Sequence, residues 1–296
     1  MGWLWAVFTV IAAAGQVARN AMQRELTATL GTVGATHVRF LFGLPFSILF
    51  LVLVVMALRM PIPAITGTVF TWALVASIAQ IAATALLLAA MRDRSFVVAT
   101  AYAKTEPVQT AVFGLVFLGD AVTLPLAAAI LIATVGVLLV SWPRTDTGQS
   151  FTWAPAALGM ASGAMFAIAA IGFRGAIRAL DTQSFVMAAT VALVLGLFLQ
   201  TALLTLYLLV ADRKTLGAIF KAWRPSMAAG FAGAFASQMW FMAFALETAA
   251  KVRTLALIEI LFAQLISRNL FKQKLASREA VGIGLVVIGV VVLLNT

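Results

Sequence analysis

The sequence contains no cysteine and a single histidine, His37, which excludes disulfides, thiolate metal sites, thiol catalysis and any histidine-pair metal centre. Charge is nearly as scarce, with 10% of the 296 residues carrying it, whereas soluble domains average about a quarter. Among the charged residues, acids are half as many as bases, ten against twenty. No P-loop and no dinucleotide glycine pattern is present, and with one imidazole no serine has a credible base. These absences predict a chain that is not an enzyme and has no catalytic residue, metal or cofactor. The formal charge of +10 is spread over helix ends rather than gathered on a polar domain, so it predicts membrane lipids as partners and no nucleic acid.

What is abundant is apolar: 63% hydrophobic residues and a mean hydropathy of +1.07 place the chain among polytopic membrane proteins. The apolar runs recur every 20 to 30 residues, the spacing of packed transmembrane helices, with nothing like the alternation of an outer-membrane barrel. The opening MGWLWAVFTVIAAAG has no basic n-region and is expected to be a first helix rather than a cleaved leader. About ten helices are predicted, at 2–22, 36–58, 70–91, 97–118, 123–142, 154–175, 184–210, 226–246, 253–271 and 276–294.

Repetition organises these spans. Glu106 and Glu259, Gly136 and Gly289, and Ile130 and Ile283 are related by an offset of 153, and RNAMQREL aligns with FRGAIRAL at 154. The expected domains are a first five-helix repeat over 1–143, a linker loop over 144–152 and a second repeat over 153–296. Five is odd, so the second copy enters the bilayer in the opposite sense. The fold class is therefore an all-α membrane protein of about ten transmembrane helices in two inverted five-helix repeats, with a site at the midplane. Thirteen of the twenty Lys and Arg residues fall in or beside the loops after helices one, three, five, seven and nine, and five in the others. That bias predicts a multi-pass protein of the cytoplasmic (inner) membrane with both termini on the non-cytoplasmic side.

Several stretches carry a family resemblance: TEPVQTAVFGLVFLGDAVT followed by TVGVLLV, and IEILFAQLISRNLFKQKLAS followed by VGIGLVVIGVVVLL. With the repeat layout, these make nearly the whole chain resemble the EamA-type transporters of the drug/metabolite transporter superfamily. The sequence departs from that pattern at Ile260, where the second half often has proline, and at Gln273 and Lys274, where an acid is common. The resemblance implies secondary transport of small metabolites, often export of amino acids or related compounds. With no ATP-binding motif, an ion gradient or the substrate's own gradient supplies the drive.

The candidate site residues are polar groups in apolar spans, where each needs a purpose or a partner. Helix one offers Gln16 and Asn20 on a line with Trp5, Thr9 and Gln23, which reads either as a cavity wall or as packing glue. Arg39 and Lys104 are candidate contacts for a substrate carboxylate, Arg39 otherwise snorkelling and Lys104 otherwise forming an ion pair. Gln80, Gln109 and Gln238 supply hydrogen bonds, while Tyr102, Trp240 and Phe241 supply apolar or cation-attracting walls, or else fill packing seams. On one continuous helix Lys104 lies about 160° from Glu106, so the two are expected on opposite faces. Glu106 and Glu259 are the candidates for proton coupling, or for a structural bridge between helices.

These residues favour a small-molecule substrate that is zwitterionic or bears a carboxylate, carried by alternating access and possible to couple to protons. Two rivals remain at this stage: a lipid or lipid-precursor flippase, needing a lateral opening and a basic phosphate pocket, and a nontransporting membrane scaffold or receptor with its polar groups paired. Monomer and homodimer are both compatible with the sequence.

Overall fold

A computed structural model describes residues 2–92, 102–141, 153–262 and 277–296, apart from the side chains of 20, 21, 23–25, 28, 88–92 and 153–155. The expected linker over 144–152 and the ends of the fourth and ninth spans lie outside these residues. Among the described residues there is no strand. The elements are α1 (Leu4–Leu41), α2 (Gly43–Leu58), α3 (Gly67–Arg92), α4 (Glu106–Phe113), α5 (Leu124–Ser141), α6 (Trp153–Ala179), α7 (Phe185–Ala211), α8 (Arg213–Lys221), α9 (Trp223–Leu246), α10 (Ala249–Leu255) and α11 (Ser277–Leu294). A π-helical turn, Gly114–Leu118, extends α4, and a 3-10 turn, Ala256–Ile258, follows α10.

Among the described residues seven helical stretches are long and apolar enough to cross a bilayer, and Leu4–Arg19 and Glu106–Leu118 are shorter apolar helices. The chain is thus a multi-pass α-helical membrane protein. The helix start expected at residue 36 is displaced: α1 continues past Met22 and breaks only at Gly31, whose φ of +67° is open to glycine at little cost. Helical backbone resumes at Thr32 and runs through Phe42 into α2. No span was expected between 210 and 226, where the structure places the nine-residue α8.

The helices form two compact units. One comprises residues 1–78 and 172–247, the other 79–171 and 248–296, and the chain passes between them within α3, within α6 and after Glu247. Each unit therefore takes elements from both halves of the sequence.

In the first unit α1 runs along α9, and α2 lies against α7 and α9. Helices in lipid gain little from hydrophobic burial against one another, so close approach through small residues and internal polar satisfaction has to hold them. Both devices are present. A Cβ placed on Gly230 would lie 2.6 Å from the backbone of Phe42, and one on Gly172 2.8 Å from Ala76. The hydroxyls of Thr9, Thr36 and Thr190 donate to carbonyls one turn back at 2.7–2.8 Å, so their burial leaves no unmet donor. Arg174, buried on α6, donates to the carbonyls of Phe244 (2.8 Å) and Glu247 (2.5 Å) and so closes the C-terminus of α9, where its charge also suits the helix dipole. Arg174→Ala is expected to lower stability by about 2 kcal/mol, the worth of charge-assisted hydrogen bonds to buried carbonyls; equilibrium unfolding in detergent measures it, with Arg174→Lys losing less.

In the second unit α5 packs against α11, and α4 against α10. A Cβ on Gly136 would stand 2.7 Å from the Gly282 carbonyl oxygen and the Val286 nitrogen, and one on Gly289 2.7 Å from the Ala133 nitrogen and 3.0 Å from the Ala129 oxygen. Moving up α5 from Ala129 to Gly136 moves down α11 from Gly289 to Gly282, so these two helices are antiparallel. The 153-residue offset turns each of these contacts into the other, the reciprocity that a local two-fold axis produces.

Candidate functional site

The fourth span does not pass Lys104 as a continuous helix. Pro107 has no amide hydrogen to donate to Ala103 and disfavours helical backbone at the residue before it. The chain is helical at Tyr102 and Ala103, turns at Lys104 and Thr105, and restarts as α4 with Glu106 in its first turn. Thr105 ties the turn down by donating its backbone N–H (3.1 Å) and its hydroxyl (2.7 Å) to the Tyr102 carbonyl. The ninth span is interrupted at the equivalent place: α10 ends at Leu255, and the 3-10 turn Ala256–Ile258 precedes Glu259. Both spans thus depart from α-helical winding at corresponding positions of the two halves, and such departures at mid-span are a common setting of a transporter's ligand site.

Two ion pairs join the broken segments. Arg253 grips Glu106 with both ends of its fork, Nε to Oε1 at 2.5 Å and the second guanidinium NH2 to Oε2 at 2.6 Å. Lys104 pairs with Glu259. Going from residue 104 to 106 takes the partner from 259 back to 253, so the two segments run antiparallel here as well. The expectation that Lys104 and Glu106 lie on opposite faces is corrected: the turn at Lys104–Thr105 removes the helical phase relation, and both side chains reach the segment 253–259. Glu106 and Glu259 both bridge helices, and Lys104 forms the ion pair. Neither pair is sealed, since the side chains are 17% and 12% exposed for Arg253 and Glu106, and 29% and 14% for Lys104 and Glu259.

Arg253 is the residue that sequence reasoning missed. Starting the ninth span at Arg253 made it an end cation. Thr248, five residues earlier, caps α10 by accepting from the Lys251 N–H at 3.4 Å, which moves Arg253 a full turn inside. The signal was present as a threonine one turn ahead of an apolar run.

Gln109 belongs to the same unit. Its Nε2 donates to the Thr105 hydroxyl (3.2 Å) and the Met160 carbonyl (3.4 Å), and its buried Oε1 has no partner among the described residues. Tyr102 is half-buried in the helical residues just ahead of that turn, and Gln80 is half-buried on α3 and engaged in a polar contact.

The remaining candidates lie in the first unit. Gln16 is half-buried on α1 with a polar partner, and the side chain of Asn20 falls outside the described residues. Arg39 flanks Gly233, where an added Cβ would meet its Cγ at 3.1 Å and the Cδ of Arg19 at 3.6 Å. Gln238 donates to the Thr190 hydroxyl at 3.0 Å, while its buried Oε1 finds no described partner. Trp240 and Phe241 are 5% and 6% exposed. Phe241 sits 4.7 Å from the Phe173 ring and 6.4 Å from Phe244, which also stacks on Trp240. The structure thus gathers Lys104, Glu106, Glu259 and Gln109 with Arg253 in one unit, and Arg39, Gln238, Trp240 and Phe241 in the other. Among the described residues no cluster of acidic or histidine side chains is arranged to hold a metal ion.

Fold and site together define a polytopic α-helical membrane protein that keeps paired charges inside its spans. Residues 2–142 match the EamA-like transporter family, which places this part of the chain in the drug/metabolite transporter superfamily. Twenty-eight chains of solved structures match as well. One of them, a crystal structure, aligns over 98% of this chain and 95% of its own with a TM-score of 0.69 and 15% identity, a likeness of fold. No curated protein matches the sequence.

Proposed function

We propose that this membrane transporter is a secondary carrier that exports a small zwitterionic or carboxylate-bearing metabolite of amino-acid type across the cytoplasmic membrane by alternating access, with its halves as inverted repeats. The observation that carries the reading is the double ion pair at the two broken spans, Glu106 with Arg253 and Lys104 with Glu259. A substrate carboxylate competes with Glu106 for the Arg253 fork, and a substrate ammonium takes the carboxylate so released. A zwitterion exchanges for an internal ion pair without adding net charge to a low-dielectric region, which is where an uncompensated ion costs most. A proton on Glu106 or Glu259 performs half of that exchange by freeing one cation, and this is the route by which proton binding would couple to substrate. The reciprocal contacts of α5 and α11 support the inverted arrangement, and the side-chain exposure of the pairs supports access from water.

A thermal-shift screen of purified protein against metabolite classes at two pH values, repeated with Glu106→Gln, tests the proposal. Zwitterions of amino-acid size are expected to stabilise the wild type in a pH-dependent manner, and Glu106→Gln is expected to remove that pH dependence. Ligands found in the screen are then followed as efflux from loaded proteoliposomes. Stabilisation by phospholipid precursors alone would favour a flippase, and a protein that moves none of the classes would fit a scaffold or receptor.

A further inference from the structure

We propose that α8 is an in-plane anchor for anionic phospholipid headgroups. The helix joins two membrane-crossing stretches, Phe185–Ala211 and Trp223–Leu246, so its residues lie at the bilayer boundary. One side of it is fixed to protein. Ile219 is fully buried in a cluster with Leu26, Leu30, Val38 and Leu208, partly buried Leu216, Ala218 and Ala222 pack against that cluster, and a Cβ on Gly34 would meet the Thr215 methyl at 2.9 Å.

The other side is open and cationic. At 100° per residue Phe220, Arg213, Gly217, Lys221 and Lys214 fall in order across an arc of about 120°, and all five are exposed. Nothing lies within 4 Å of a Cβ placed on Gly217. Phe220 is 57% and Trp223 52% exposed, with the Arg224 guanidinium 5.5 Å over the Trp223 ring. Aromatic rings beside cations at the end of a span are the composition that settles at headgroup level.

The local anion is already engaged. Asp212 accepts from the Thr215 hydroxyl (2.6 Å) and backbone N–H (3.1 Å) as the N-cap of α8, and these bonds, the hydroxyl first, hold its carboxyl below the usual carboxylate range. Arg213 donates to the Leu209 carbonyl at 2.7 Å. Lys214, Lys221 and Arg224 form no ion pair with a described residue, and Lys214 occupies the first turn of α8, where the helix dipole disfavours a cation. Three exposed cations outside any ion pair with a described residue, Lys214 near Asp212 and Arg224 over the Trp223 ring, flanked by two outward aromatics at the membrane boundary, match a negatively charged lipid leaflet in both charge and depth. The anchor bears on the Gly31 break as well, because the cluster under α8 includes Leu30 before it and Val38 after it.

The test uses the full chain in phosphatidylcholine nanodiscs titrated with phosphatidylglycerol carrying a spin label near the headgroup. The readout is the fluorescence quenching assigned to Trp223 by difference from Trp223→Phe. Each cation at an anionic surface is worth roughly fivefold in binding. The triple variant Lys214→Gln, Lys221→Gln, Arg224→Gln is therefore expected to need at least about tenfold more phosphatidylglycerol for half-quenching, and high salt to act alike on the wild type. Labelled phosphatidylcholine should show no difference between wild type and variant. All three substitutions are at exposed positions, so the variant's melting in pure phosphatidylcholine should match the wild type and serve as the fold control. Equal quenching by the two labelled lipids in the wild type, or an unchanged phosphatidylglycerol response in a folded triple variant, overturns the proposal.

Discussion

Arg253→Ala is expected to cost about 2–3 kcal/mol of stability, because it strips the largely buried Glu106 carboxylate of both guanidinium hydrogen bonds and leaves Lys104 as its nearby cation. The geometry makes this the most exposed weakness of the second unit. Both Glu106 oxygens are committed to one guanidinium at 2.5 and 2.6 Å, and the carboxylate is only 12% accessible. Arg253→Lys keeps the charge but not the fork, and about half of the loss should remain. Pairing Glu106→Gln with Arg253→Gln removes the stranded charge and should recover much of the stability. Transport stays absent in that double variant if the proposed exchange of pairs is the mechanism. Denaturant unfolding in micelles and proteoliposome efflux measure the two halves. An Arg253→Ala protein as stable as the wild type would show that Glu106 is solvated without its partner.

Gly136→Ile is expected to have an effect of similar size by a different route. The atoms that a Cβ at Gly136 would strike, 2.7 Å away, are the Gly282 oxygen and the Val286 nitrogen, which belong to a helix backbone and have no rotamer to move into. The α5–α11 pair must separate, and separation forfeits dispersion along the whole contact, since lipid offers no hydrophobic penalty to hold it closed. Gly136→Ala should cost about 1–3 kcal/mol and Gly136→Ile more. Gly284 is the internal control, because nothing lies within 4 Å of its Cβ position. Gly284→Ala should be neutral or stabilising by up to about 1 kcal/mol, through helix propensity alone. Equal losses at Gly136 and Gly284 would mean that the close approach does not exist.

Much of this was legible in the chain. The apolar runs located α3, α5, α6, α7, α9 and α11 to within a few residues at most ends, because a span must be continuous and apolar whatever it packs against. The 153-residue offset found Gly136 and Gly289 before any contact was known. What the pattern did not give was the state of the backbone between spans. Gly31 breaks α1 by a left-handed φ, and one of two glycines in an alanine- and threonine-rich stretch does not announce that. α8 was overlooked since nine residues with four apolar positions fall below any transmembrane length. The site was half readable: the mid-span carboxylates stood out, but their partners depended on helix interruptions that a helical wheel assumes away. Trp240 and Phe241, read as wall or packing, sit against Phe173 and Phe244, a choice that depends on a neighbouring helix and not on their own spacing.

The two interruptions differ in one backbone hydrogen-bond donor. Pro107 has no amide hydrogen, so the first segment cannot restore the missing bond to residue 103 in any state of the protein. Ile260 holds the corresponding place in the second copy and keeps its N–H. Its Ala256–Ile258 turn can rewind by exchanging hydrogen bonds to acceptors three residues back for bonds to acceptors four residues back, with no covalent bond to break or isomerise. Rewinding to full α-helix is therefore open to the segment that carries Glu259 and closed to the one that carries Glu106.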